Sequence, residues 1–154
     1  MSPRGPRKIR DGLAATAERP LAQLVANLPG TVGENPFDSI HDASVALRRL
    51  GALLRAFAPV LPARTVAEVK REIRWLRRAL GPARDLDVFI HETVPDLREM
   101  FPGEPGLDAL LEAARAKRAP MAAALARTVA SARCRWLVTL LERAFGGTRP
   151  ARVA

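Results

Sequence analysis

Three side chains that can bind phosphate recur at intervals of seven residues: His41, Arg48 and Arg55. On an α-helix a seven-residue interval returns a side chain to nearly the same face, with a drift of about 20°. The planar, permanently charged fork of arginine matches phosphate oxygens, and a histidine beside it adds one hydrogen-bond donor. The spacing therefore predicts a row of phosphate ligands along one helix face.

A second segment repeats this arrangement. Lys70, Arg74 and Arg77 lie beside apolar positions that recur every three or four residues, so the sequence predicts that they line one flank of a helix. Arg71 and Arg78 are expected to widen the same flank.

The positive charge of the chain is concentrated in these two segments. The 154 residues carry a net charge of +9, and residues 41–84, with ten cations and three acids, carry +7 of it. A solvated face is the ordinary explanation for a basic helix. Here like charges one turn apart lack neighbouring acids, at a cost of roughly a few tenths of a kcal/mol per pair. The same repulsion between like charges recurs on two adjacent helices, and this favours the interpretation that a polyanion binds between them.

Two carboxylates follow the Gly81-Pro82 pair. The sequence predicts that Asp85 and Asp87 lie at the start of a new helix, where they cap free N–H groups and orient an arginine such as Arg84.

The remaining polar residues give no catalytic set. His41-Asp42 resembles a metal-phosphohydrolase dyad, but the further His and Asp ligands of such a site are missing, and we assign His91 no role. Cys134 is expected to be a buried helical thiol. The sequence predicts no catalytic residue, no metal site and no cofactor, and hence a binding protein rather than an enzyme.

The elements that must position these residues are helices. Apolar residues at three- and four-residue spacing predict an all-α antiparallel bundle of about four to six helices. The predicted helices cover 13–28 (starting properly near Pro20), 36–57, 65–80, 84–93, 107–130 (kinked at Pro120) and 132–145. The predicted domain is 13–146, between a disordered basic arm over 1–12 and a disordered tail over 147–154.

Other functional classes are disfavoured by composition. No apolar run has the length of a membrane span or of a signal-peptide core, so the cytoplasm is the expected compartment. Aromatic residues make up 5% of the chain and tyrosine is absent, which argues against a platform that stacks nucleic-acid bases.

Two long motifs resemble the signature of the CHAD family, the conserved-histidine α-helical domain. They are residues 41–57, which begin HDASVALRRL, and residues 72–88, which include LGPARDLDV; residues 132–137 resemble a later short helix of that family. The resemblance implies a helical bundle whose basic groove binds inorganic polyphosphate without catalysis of its own, and a location at polyphosphate granules. The residues that it implies as polyphosphate ligands are His41, Arg48, Arg49, Arg55, Lys70, Arg74, Arg77 and Arg84.

The sequence departs from the family pattern in two ways. Ser44 and Gly51 stand where the family usually or often has arginine, and only one of the family's usual two bundle halves is present. Either a homodimer rebuilds the two-half groove, or the chain is a remnant that binds weakly. Two other functions stay open at this point: a histidine phosphotransfer protein, which would use His41, and nonspecific nucleic-acid binding.

Overall fold

The structure, a computed structural model, describes the backbone of residues 4–146 and the side chains of residues 8–146. These residues form six α-helices and no β-strand, which confirms the predicted all-α bundle. The helices are α1 (Arg4–Asn27), α2 (Pro36–Phe57), α3 (Ala63–Val88), α4 (Val94–Met100), α5 (Pro105–Ala130) and α6 (Ala132–Phe145). Short 3-10 turns follow α1 and α2, and one π-helical turn, Phe89–Thr93, joins α3 to α4.

The bundle has four helical positions. Helices α1, α2 and α3 occupy three of them, with α2 between α1 and α3, and short connections make neighbours antiparallel. The fourth position is shared by α5 and α6. Arg118 of α5 binds Asp87 near the end of α3, whereas Arg133 of α6 binds Glu72 in the first half of α3.

One apolar core lies between these helices. The sequence predicts one apolar stripe on α2. Its members Ile40, Ala43, Leu47, Leu50 and Leu54 are buried, as the three- and four-residue spacing requires, and its last member, Phe57, is half-buried against the core. Corresponding leucines of α1, α3 and α6 are fully buried against it. The stripe fixes which side of α2 faces inward, and so fixes the direction of its charged residues.

The break between α5 and α6 occurs at Ser131. Its Oγ accepts a hydrogen bond from the backbone N–H of Cys134 at 3.1 Å and caps the start of α6. The predicted helix over 132–145 is thereby confirmed, and Cys134 is buried as expected.

The predicted end of the third helix at Gly81-Pro82 is wrong, because α3 continues to Val88. Pro82 removes one backbone donor, at a cost of about 3 kcal/mol in a helix interior. However, Leu80, Ala83 and Asp87 remain in line with the buried stripe of α3. Burial of this last stretch offsets the cost, so the fourth helix predicted from residue 84 is the end of α3.

The first helix also differs from its prediction. α1 passes through Pro20 and is described as helix from Arg4, so residues 4–12 of the predicted arm are helical in the structure. Pro6 lies in the first turn of α1, where backbone N–H groups make no hydrogen bond within the helix, so the N–H that proline lacks is not needed there. Further along α1, Leu13 and Ala17 are buried in the core. Residues 1–3 and the predicted tail lie outside the described residues. None of the described helices has the length and apolarity needed to cross a membrane.

Candidate anion-binding site

The two flanks of α2 face different helices. Arg49 Nη1 donates to Gln23 Oε1 of α1 at 3.4 Å, so this flank faces α1. On the other flank, the Phe37 ring lies against His91, just beyond the end of α3, with ring centroids 5.0 Å apart. Arg48 follows Phe37 by eleven residues, three helical turns, and therefore lies on the Phe37 flank. His41 lies seven residues before Arg48 and Arg55 lies seven residues after it, so both lie on this same flank, which faces α3.

The flanks of α3 divide in the same way. Glu72 and Trp75 both contact Arg133 of α6, so their flank faces α6. Arg77 lies two residues after Trp75, about 160° around the helix, and Lys70 and Arg84 lie one heptad to either side of Arg77. This second row therefore runs on the flank that faces α2, and Arg74 borders it on the outer surface.

These two rows line one boundary, which we call the α2–α3 seam. It consists of His41, Arg48 and Arg55 from α2 and Lys70, Arg74, Arg77 and Arg84 from α3. Each row spans fourteen residues, or ~21 Å along its helix. The contact of Phe37 with His91 sets the antiparallel register, which places Arg84 near the His41 end of the seam and Lys70 near the Arg55 end.

The seam carries positive charge without acidic partners. All of its side chains except Arg84 are exposed, and within the described residues none of its cations forms an ion pair. Arg84 is half-buried, and its buried Nε has no hydrogen-bond partner among the described residues. A buried donor without an acceptor costs about 1–3 kcal/mol. The arrangement can therefore hold an elongated anion by charge and by multiple N–H donors.

One member of the sequence-derived set lies elsewhere. Arg49 points toward α1, about 100° around α2 from Arg48, and is not part of the seam. Arg71 also departs from its prediction, because it binds Glu72 on the α6 side of α3 instead of widening the α2 side. Ser44 and Gly51 are half-buried on α2.

The predicted helix-capping role of the two aspartates is wrong, whereas Asp87 does orient an arginine, although not one of those expected. Asp85 and Asp87 lie in the last turns of α3, not at a helix start, because α3 runs on to Val88. Asp87 is buried and accepts two hydrogen bonds from Arg118 of α5, at 2.6 and 3.0 Å. It orients Arg118 and not Arg84. Asp85 is exposed, and no ion pair is recorded for it within residues 8–146.

A buried carboxylate on the other flank of α3 was missed by the sequence reasoning. Glu72 is 2% exposed and binds both Arg71 and Arg133. The two hydrogen bonds from Arg133, and after them the single one from Arg71, hold the pKa of Glu72 below its ordinary value, although burial acts to raise it. The same contact with Glu72 raises the pKa of Arg133. The available signal was the position of Glu72 in the apolar row between Val69 and Leu76.

The described residues contain no group of three or more His, Cys, Asp or Glu side chains placed to hold a metal ion. His91, to which the sequence assigned no role, contacts Phe37.

Comparison with known proteins agrees with this architecture. The model of the CHAD domain family matches residues 15–154, which include every residue of the seam. Neither the curated proteins nor the solved structures gave a match. Since the matched region covers most of the chain, the protein belongs to the CHAD domain family.

Proposed function

We propose that the protein binds inorganic polyphosphate along the α2–α3 seam. CHAD domains are associated with polyphosphate binding in general. The observation that carries the proposal is the seam itself: two parallel rows of basic side chains, ~21 Å long and exposed except for Arg84, without acidic partners among the described residues. Polyphosphate is a linear anion whose charges follow one another along its length, so it matches two linear rows of donors.

The binding is electrostatic and hydrogen-bonded. Guanidinium groups donate two parallel N–H bonds to phosphate oxygens, and such charge-assisted bonds are roughly twice as strong as neutral ones. Bringing a polyanion between the rows also relieves their mutual repulsion and releases counterions. The affinity is therefore expected to fall steeply as the salt concentration rises.

The protein acts in this proposal as a binding module and not as an enzyme. The seam holds arginines, a lysine and one histidine, all suited to holding phosphate, whereas hydrolysis or transfer would need a positioned nucleophile and base or a metal. Of the two aspartates that follow Arg84 in α3, Asp87 is bound by Arg118 and Asp85 is an exposed single carboxylate.

The sharpest test compares two neighbouring arginines. Arg48→Ala and Arg49→Ala remove the same charge from adjacent positions of α2, but only Arg48 lies on the seam. Titration calorimetry with long-chain polyphosphate should show about ten-fold weaker binding for Arg48→Ala and a much smaller loss for Arg49→Ala. The triple variant Arg48→Ala/Arg74→Ala/Arg77→Ala should lose nearly all binding.

Equal losses for the two single variants would reject the seam as the site. Competition between polyphosphate and duplex DNA ranks the two polyanions, and preferential binding of DNA would reject polyphosphate as the ligand. Light scattering on the same mixtures gives the number of chains in the complex. Two chains per complex is the outcome expected if a homodimer rebuilds a two-half groove.

A further inference from the structure

Two guanidinium groups outside the seam are held in place by one buried carboxylate. Glu72 Oε1 accepts from Arg71 Nε at 2.8 Å and from Arg133 Nη2 at 3.2 Å, and Glu72 Oε2 accepts from Arg133 Nε at 2.7 Å. The Glu72 side chain is 3% exposed, whereas those of Arg71 and Arg133 are 63% and 46% exposed. The carboxylate therefore lies behind the two cations, which face solvent.

These contacts leave donors unused. Both Nη groups of Arg71 and Nη1 of Arg133 have no acceptor among the described residues. Arg133 is fixed further by stacking over the Trp75 ring, 4.4 Å from its centroid. Two charged forks in defined positions, with a net charge of +1 after Glu72 is counted, form a preorganised site for a phosphate group.

The outer surface of α3 connects this pair to the seam. From Lys70 at the seam, the next cations around the helix are Arg74, about 40° further, and Arg71, about 60° beyond Arg74 and about 4.5 Å from it along the axis. Arg78 lies between these two in angle and about 6 Å beyond Arg74 along the axis. Between residues 70 and 78 the sole acid is Glu72, and its carboxylate is directed inward. A polyanion that leaves the seam at its Lys70 end can therefore follow basic side chains over α3 without meeting an exposed acid.

We propose that Arg71 and Arg133 form a second phosphate-binding site, and that polyphosphate longer than the seam crosses the outer face of α3 to reach it. The inference rests on the proposed function for the identity of the ligand. It adds a site on the opposite flank of α3, brings α6 into binding through Arg133, and makes Glu72 a positioning residue for both forks. It predicts that affinity continues to rise with chain length after the seam is filled.

The test uses Arg71→Ala, which removes one fork and leaves Arg133 bound to Glu72. Binding of long-chain polyphosphate, measured by calorimetry, should weaken about ten-fold. Chains that cover only the ~21 Å seam should lose much less. Arg71→Lys keeps the charge without the fork and should lose most of the same affinity. The control is Arg19→Ala, which removes an exposed arginine from α1, the helix opposite α3 in the bundle.

The Glu72→Gln variant distinguishes binding that depends on the positions of the two guanidinium groups from binding that depends only on the total charge. This variant raises the net charge by one, so binding by charge alone predicts tighter binding of long chains. Because Glu72 positions both forks, we expect weaker binding instead, and thermal unfolding of the same sample shows whether the variant is folded. Tighter binding by folded Glu72→Gln, or wild-type affinity in Arg71→Lys, would overturn the inference.

Arg77→Ala distinguishes the two proposals. If Arg77→Ala binds as the wild type does, the proposed function itself fails. If Arg77→Ala is weakened while Arg71→Ala behaves like Arg19→Ala, only the second site fails.

Discussion

Arg118 of α5 and Asp87 of α3 form a two-point ion pair, with Nε–Oδ1 at 2.6 Å and Nη2–Oδ2 at 3.0 Å. The two side chains are 12% and 7% exposed. The pair joins the end of α3 to the middle of α5. It is therefore an electrostatic contact that holds α5 against α3.

Loss of one partner of this pair should destabilise the fold strongly. Arg118→Met keeps the apolar stem of the side chain but leaves the Asp87 carboxylate buried and unpaired, which costs about 3 kcal/mol or more. Urea unfolding measures the change in the free energy of unfolding. The control on the same helix is Arg115→Met, which breaks the exposed pair with Glu112 and should cost less than about 1 kcal/mol. Equal effects of the two variants would contradict a structural role for the Asp87 pair.

Local sequence signals predicted most helices but not this pair. Apolar spacing placed α2 and α6 correctly because each helix buries one regular stripe. Gly81-Pro82 is a strong local stop signal, but Ala83 and Asp87 beyond it are buried, and the Asp87 carboxylate is bound by Arg118 of α5, which lies far along the chain. Asp87 and Arg118 are 31 residues apart, and no local spacing links them.

The continuation of α3 through Gly81 predicts the sign of a substitution. Apart from its two chain neighbours and the nearby backbone of α3, a Cβ built at Gly81 meets no atom within 4 Å, and Gly103 is the one glycine with positive φ in the described chain. Gly81→Ala should therefore stabilise the fold, but by less than the about 0.5–1 kcal/mol that alanine gains elsewhere in a helix interior, because the Pro82 ring crowds the Cβ of the residue before it. Thermal or urea unfolding provides the measurement. Clear destabilisation would contradict a continuous helix through Gly81 and favour the helix end that the sequence predicted there.

The candidate site was predictable in part. The heptad spacing predicts that His41, Arg48 and Arg55 follow one line of α2, and the structure confirms the continuous helix that this prediction requires. Whether a flank faces α1, α3 or α6 depends on the packing of the whole bundle, however, and sequence spacing does not contain that information. Arg49 and Arg71 were consequently assigned to flanks on which the structure does not place them.

The thiol of Cys134 should be unreactive in the folded protein. Cys134 is 2% exposed, and burial raises its pKa, against a smaller opposing effect of Arg135. At pH 8 a disulfide reagent such as DTNB should modify the native protein far more slowly than the protein in denaturing urea. Rapid modification of the native protein would show that the start of α6 opens readily, which the Ser131 cap and the core contacts of Cys134 argue against.

Glu72 should make stability sensitive to acid. Its pKa is lowered in the folded protein, chiefly by the hydrogen bonds from Arg133, relative to an ordinary glutamate value of 4.5. A carboxylate of this kind stabilises the fold at pH values above 4.5, and its contribution is lost as the pH falls through the lowered folded-state pKa.

The stability difference between wild type and Glu72→Gln should therefore be largest near pH 7 and shrink below about pH 4.5. Thermal unfolding between pH 7 and pH 3 measures it. The control is Glu112→Gln, which removes an exposed carboxylate and should change the free energy of unfolding by less than about 1 kcal/mol. A Glu72→Gln difference that stays constant with pH would show that the carboxylate gains no net stabilisation from Arg71 and Arg133.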